Sequence, residues 1–158
     1  MVSSFSYIEQ LEKKIHTCAS LKCKDFVLLN SVVEKLGDVA RNNNPIEVGF
    51  SHGDLQAGNI WVDDNNNLFI IDWESWSVRS IWYDQAVLFE KLRPGSIKSY
   101  LYSSSPNSQK AIVLLEDIVF HLNELNSLPD NFGEKSFYQY VDEINTWLSE
   151  DTTNEQKK

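Results

Sequence analysis

Apolar residues recur at helical spacing toward both ends of the chain and in short extended runs in its middle. Ile8, Leu11, Ile15 and Cys18 share one face of a helix predicted over residues 7–20, behind a cluster of capping serines. Phe26, Leu29, Val33, Leu36 and Val39 predict a second helix, capped by Asp25 and ended by Asn42 to Pro45. The period then shortens. Glu47 to Phe50 is a short extended piece, Asn59 to Val62 a strand, Asp63 to Asn67 a turn, and Leu68 to Asp72 the returning strand of a hairpin. Beyond Asp72 the pattern is helical again. One helix spans 84–93, stopped by Pro94-Gly95, and another spans 109–125, with Ile112, Leu115, Val119, Leu122 and Leu125 inward. Phe137, Val141, Ile144 and Leu148 predict a last helix, and the chain after Ser149 is polar.

This order predicts an α+β domain, mainly α-helical, in which a small β-hairpin interrupts the helices. Residues 1–150 form that single domain and 151–158 a polar, disordered tail. The chain has 158 residues, 42% hydrophobic and 12% aromatic, which is the composition of one globular domain rather than of a disordered segment. The longest strictly apolar run, Ala111 to Leu115, is far below the roughly 20 residues a membrane-spanning helix requires. The opening Met1-Val2-Ser3-Ser4-Phe5-Ser6 lacks the basic start and apolar core of a secretory signal. Fourteen Lys and Arg against 23 Asp and Glu give a net charge of −9 and no basic stripe, which argues against nucleic acid and favours a cationic substrate. Cys18 and Cys23 are expected on different faces, which excludes zinc without further ligands and fits two free thiols in the cytoplasm.

Candidate chemistry concentrates in Ser51-His52-Gly53-Asp54-Leu55-Gln56-Ala57-Gly58-Asn59-Ile60 and Ile70-Ile71-Asp72-Trp73-Glu74. A loop after a short extended segment carries Asp54. Asn59 starts one strand of the hairpin and Asp72 ends the other, so both bring oxygen atoms to the same end. Two oxygen ligands suit Mg²⁺, whose remaining positions go to water and phosphate. Asp54 is a third oxygen group, in reach of a substrate hydroxyl rather than of the metal. Loop Asp, Asn and second Asp are the division of labour by which kinases orient a hydroxyl and hold metal on phosphates.

His52-Gly53-Asp54 with Asn59, then Asp72-Trp73-Glu74, resembles the catalytic core of the aminoglycoside phosphotransferase and choline kinase superfamily. The likeness spans about residues 48–92 and continues through Arg79, Trp82, Tyr83, Asp84 and Ala86, and Gln56-Ala57-Gly58-Asn59 leans toward choline kinases. The resemblance implies a kinase-like C-terminal lobe whose hairpin carries the catalytic loop, and an ATP- and Mg²⁺-dependent phosphotransferase. Asp54 would be the catalytic base or hydroxyl-orienting group, and Asn59 and Asp72 the metal ligands. His52 would brace the loop, Gln56 would brace it or touch substrate, and Glu74 would meet substrate or metal-bound water. The acceptor would be a sugar, aminoglycoside or amino alcohol.

No strand-borne Lys, partnering Glu or glycine-rich nucleotide loop is visible before His52, and Gly53 to Gly58 has P-loop spacing with Asn59 in place of its Lys. The likeness is therefore to a C-terminal lobe alone, and the nucleotide-cofactor residues stay unassigned. Three readings stand open: a piece of a longer kinase, a lobe working with a separate N-terminal lobe, or a non-catalytic binding module. A homodimer through the uncovered face would favour the module. Among other features, Asp84 reads as a helix cap, and Trp61 and Trp82 as core. Trp73 and Trp76 read as pocket residues for a cationic amine. Glu116, Asp117 and Glu124 read as a solvated helix face, and His16 and His121 receive no role.

Overall fold

A computed structural model describes residues 1–22, 26–90, 97–129 and 133–155. The elements run α1 (Ser4–Lys22), α2 (Phe26–Ala40), β1 (Val48–Ser51), β2 (Ile60–Val62), β3 (Leu68–Ile70), β4 (Ser77–Ser80), α3 (Tyr83–Glu90), α4 (Ile97–Leu101), α5 (Asn107–Ser127) and α6 (Glu134–Glu155). Short 3₁₀ turns at Ala57–Asn59 and Trp73–Ser75 flank the hairpin. The fold is mainly helical with little sheet. The expected cap Asp25, Cys23 and the stop at Pro94-Gly95 lie outside the described residues.

α5 organises the interior. Its run Ala111 to Leu115 is fully buried on every side, which a helix tolerates only when neighbours surround it. α1 presents Ile8, Leu11 and Ile15, α2 presents Leu29, Val33 and Leu36, and α6 presents Tyr140, Val141 and Ile144 to the same core. α5 ends where Leu128 turns extended, because the residue before Pro129 is pushed out of helical geometry.

Two separate two-stranded antiparallel sheets sit beside this core. β2 pairs with β3 in the expected hairpin, Trp61 opposite Phe69. The Asp63 carboxylate closes its turn by accepting from the amides of Asn65 and Asn67 and from the Asn67 side chain. β1 pairs with β4, Gly49 opposite Arg79 and Ser51 opposite Ser77. The hydropathy pattern hid β4, because Ser77-Val78-Arg79-Ser80 holds a single apolar residue and its pairing is with a strand about 30 residues earlier.

Three further expectations are corrected. Trp61 is 63% exposed rather than core, since the hairpin stands out from the helices. α6 continues to Glu155, so part of the expected tail is helical; no Gly or Pro follows Gly133 to stop it. Most consequentially, Glu116 and Asp117 are 2% and 0% exposed, not solvated. Glu116 accepts from the Tyr7 hydroxyl of α1 and from the backbone N–H and hydroxyl of Ser80 in β4. Burial pushes its carboxyl up against the opposing pull of Tyr7, Ser80 and Arg79. Asp117 accepts from the Tyr83 hydroxyl at 2.8 Å and lies 3.1 Å from His121 Nε2 as an ion pair. These pairings offset the cost of desolvating charge.

Two outcomes follow for stability. Glu116→Ala leaves Ser80 N–H and Tyr7 without their acceptor and is expected to lower the unfolding free energy by about 2–5 kcal/mol in urea titration. Burial alone would push the His121 pKa down, but Asp117 and Glu124 prevail and raise it to about 9. The pair's contribution is therefore complete below the unfolded histidine value near 6.5 and is lost as pH rises through 9, by about 3 kcal/mol at most. His121→Gln removes that slope, so the stability gap between wild type and variant should close from pH 6.5 to 9 in unfolding measurements.

Candidate active site

β1 ends at Ser51, and the chain between it and β2 carries His52, Asp54, Gln56 and Asn59, while Asp72 and Glu74 follow β3. The Asp84 carboxylate, at the start of α3, gathers this segment. It accepts from Ser51 Oγ at 2.9 Å, from His52 N at 2.7 Å and from Gly53 N at 2.9 Å. Asp84 thus does more than cap a helix. Sequence reasoning missed this because the partners lie 31 to 33 residues away and no local pattern joins them.

Gly53 has φ +83°, and a Cβ there would collide with the Ser75 carbonyl oxygen. The glycine allows both the turn and the close approach of the segment after Asp72. Arg79 Nη1 donates to that same carbonyl at 3.1 Å and lies 3.4 Å from Ser51 Oγ, its guanidinium 4.6 Å over the Tyr83 ring.

His52 is buried and both ring nitrogens are engaged. Nε2 faces the Ile71 carbonyl at 2.8 Å, and the Asp54 amide donates to Nδ1 at 3.2 Å. A carbonyl only accepts and an amide N–H only donates, so the hydrogen sits on Nε2. The ring packs 4.7 Å from that of Trp73, whose indole N–H donates to the Ile70 carbonyl. Ile71 is the junction: its N–H donates to the Asn59 carbonyl at 3.0 Å while its own carbonyl meets His52. Asn59 and Asp72 thereby share one end of the hairpin.

Asn59 is buried and turns Nδ2 onto the Asp54 carbonyl at 2.9 Å, with Asp54 Oδ2 at 3.5 Å. Gln56 Nε2 donates to Asp54 Oδ2 at 3.3 Å. Asp54 is half-buried, and Asp72 is exposed with φ +63°, a left-handed conformation that Asp adopts more readily than most residues. With Nδ2 committed, Oδ1 remains the Asn59 atom for a metal, and the Asn59 and Asp72 oxygens are the hard donors Mg²⁺ takes alongside water and phosphate. Among the described residues no group of three or more His, Cys, Asp and Glu could hold a metal.

Glu74 is exposed and lines a cavity of about 620 Å³ between α1, α5 and residues 74–79. Trp76 lines that cavity too, whereas Trp73 packs against His52 with its ring tilted by 56°. Gly58 has open space around it and no unusual φ.

Residues 9–102 match a family described as the phosphotransferase enzyme family. A probable choline kinase 3 of Arabidopsis thaliana is 32% identical over 110 residues, which cover 65% of this chain and 29% of that protein. The chain spans well under half the length of this relative. No solved structure matches it.

Asp84→Ala should free the 51–53 segment without unfolding the core. Hydrogen exchange is expected to quicken by about tenfold or more at the His52 and Gly53 amides while α5 keeps its protection. Gly53→Ala should cost at least about 1–2 kcal/mol in denaturant unfolding, from the positive φ alone.

Proposed function

The chain belongs to the phosphotransferase enzyme family, and on that premise we propose that it is the C-terminal lobe of an ATP-dependent small-molecule phosphotransferase. The γ-phosphoryl group would pass from ATP to a hydroxyl of a sugar, aminoglycoside or amino alcohol. One observation carries the reading: the Asp54 carboxylate is held by Gln56 and Asn59, on a loop locked through His52 to the strand end that carries Asp72. Such locking suits a reaction that depends on positioning and charge neutralisation.

Asp54 orients the acceptor hydroxyl and takes its proton as the new P–O bond forms and the bond to the β,γ-bridging oxygen breaks. Asn59 and Asp72 hold Mg²⁺, which when bound neutralises charge on the phosphates. His52 and Gln56 keep Asp54 in place. The same reading puts the protein in the cytoplasm, where Cys18 stays a free thiol.

A non-catalytic interaction module is favoured by a different observation. The β2–β3 hairpin exposes Trp61 and Phe69 on one face and Val62 and Leu68 on the other. In the kinase reading this apolar surface receives an N-terminal lobe; in the module reading it receives a partner or a second copy.

Calorimetric titration with ATP separates the two. The kinase reading expects binding that requires Mg²⁺ and falls about tenfold or more in Asp72→Ala or Asn59→Ala. Asp54→Ala should keep that binding and lose about 10²–10⁴-fold in phosphoryl transfer. Nucleotide binding indifferent to Mg²⁺ and to Asp72 would reject the kinase reading.

A further inference from the structure

The cavity between α1, α5 and residues 74–79 is lined by five side chains with formal charge, and three of them are already matched. Glu116 is held by Tyr7 and Ser80, with Arg79 close by. Arg79 is engaged by the Ser75 carbonyl and the Tyr83 ring. Glu124 lies 3.2 Å from His121 Nδ1. Lys14 on α1 and Glu74 just after Asp72 are left, and neither has a hydrogen-bonded or ionic partner among the described residues.

Their placement decides what the cavity prefers. They come from different walls and have opposite signs. A ligand carrying only an ammonium group would satisfy Glu74 and leave Lys14 as a repelling charge. A ligand carrying only a carboxylate would meet the reverse. Leu11, Trp76, Val119 and Phe120 supply apolar lining for a short carbon skeleton. The Glu74 wall also adjoins the candidate catalytic loop, since the Ser75 carbonyl packs directly on Gly53, next to Asp54.

We propose that this cavity seats the phosphoryl acceptor and that the acceptor is a small hydroxylated zwitterion, its ammonium group on Glu74 and its carboxylate on Lys14. That it is an acceptor rests on the phosphotransferase reading; the charge pattern of the ligand rests on the cavity alone. In the transfer, the ligand oxygen bonds the γ-phosphorus as its proton passes to Asp54. The bond from that phosphorus to the β,γ-bridging oxygen breaks, and ADP leaves with the electron pair.

Three probes isolate the charges: L-serine carries both, ethanolamine lacks the carboxylate, and 3-hydroxypropanoate lacks the amine. Titrated into the isotope-labelled chain without nucleotide and followed by NMR, L-serine should bind about tenfold or more tightly than either analogue. Its shifts should fall on Lys14, Ser75 and Trp76. Lys14→Gln should reduce L-serine to the affinity of ethanolamine, and Glu74→Gln to that of 3-hydroxypropanoate. Both side chains are exposed, so neither change threatens the fold.

Binding of ethanolamine as tight as that of L-serine would overturn the proposal. So would an unchanged serine-to-ethanolamine ratio in Lys14→Gln, shifts that map elsewhere, or no binding of any probe. A second arm adds Mg²⁺ and ATP. L-Serine that binds as expected but is never phosphorylated, while ATP binding keeps its dependence on Mg²⁺ and Asp72, overturns the acceptor role alone; loss of that dependence overturns the phosphotransferase reading, and in both cases the ligand class stands. Phosphorylation of ethanolamine in preference to L-serine upholds that reading and overturns the zwitterion.

Discussion

Glu116 and Asp117 are adjacent carboxylates in the stretch of α5 from Lys110 to Ile118 that is buried all round, and the need to satisfy them shapes what surrounds it. Neighbouring residues on a helix point about 100° apart. Glu116 therefore reaches α1 and β4 through Tyr7 and Ser80, while Asp117 reaches Tyr83 of α3 and pairs with His121. An apolar pair of similar volume would pack as well, but it would not dictate which strand residue or which tyrosine approaches. The buried charges make the placement of β4 and α3 against α5 specific, at the cost of desolvation that their partners offset.

That specificity is transmitted to the candidate catalytic loop by a short series of contacts. β4 brings Arg79 against Ser75 and Ser51, and α3 brings Asp84 against Ser51, His52 and Gly53. His52 then fastens the loop to Ile71, and Ile71 to Asn59. Each step uses a backbone group or a buried polar side chain whose alternative is an unmade hydrogen bond, so the loop has few other places to go. The hairpin differs. Its strands are short, its apolar side chains are exposed on both faces, and it joins the rest mainly through its base at Asn59 and Ile71. The molecule thus sets a rigid candidate catalytic loop beside an apolar surface.

Much of this was legible in the residues. The helices of the core announce themselves through apolar spacing, because a face that must be buried leaves a periodic trace. The hairpin is marked by Asp63 and the asparagines of its turn, whose side chains bond their own backbone. The spacing of Asp54, Asn59 and Asp72 pointed to a shared end of one hairpin, since strand pairing turns sequence distance into spatial proximity. β4 left no comparable trace. It is too short and too polar to show alternation, and its partner strand lies on the far side of the hairpin.

By itself the sequence determined the helical class, the hairpin and the identity of the oxygen groups in the loop, because backbone propensity, local turns and period are properties of neighbouring residues. The tertiary structure decided the rest. Glu116 and Asp117 read as solvent-facing, since charge alone predicts exposure, and only the arrival of Tyr7, Ser80, Tyr83 and His121 makes burial affordable. Asp84 read as a cap, and only the pairing of β1 with β4 puts three donors in its reach. Trp61 read as core, and only a hairpin that stands away from the helices leaves it in water. In each case the deciding partner lies tens of residues away, and contacts at that range depend on how the elements pack, which no local pattern of residues encodes.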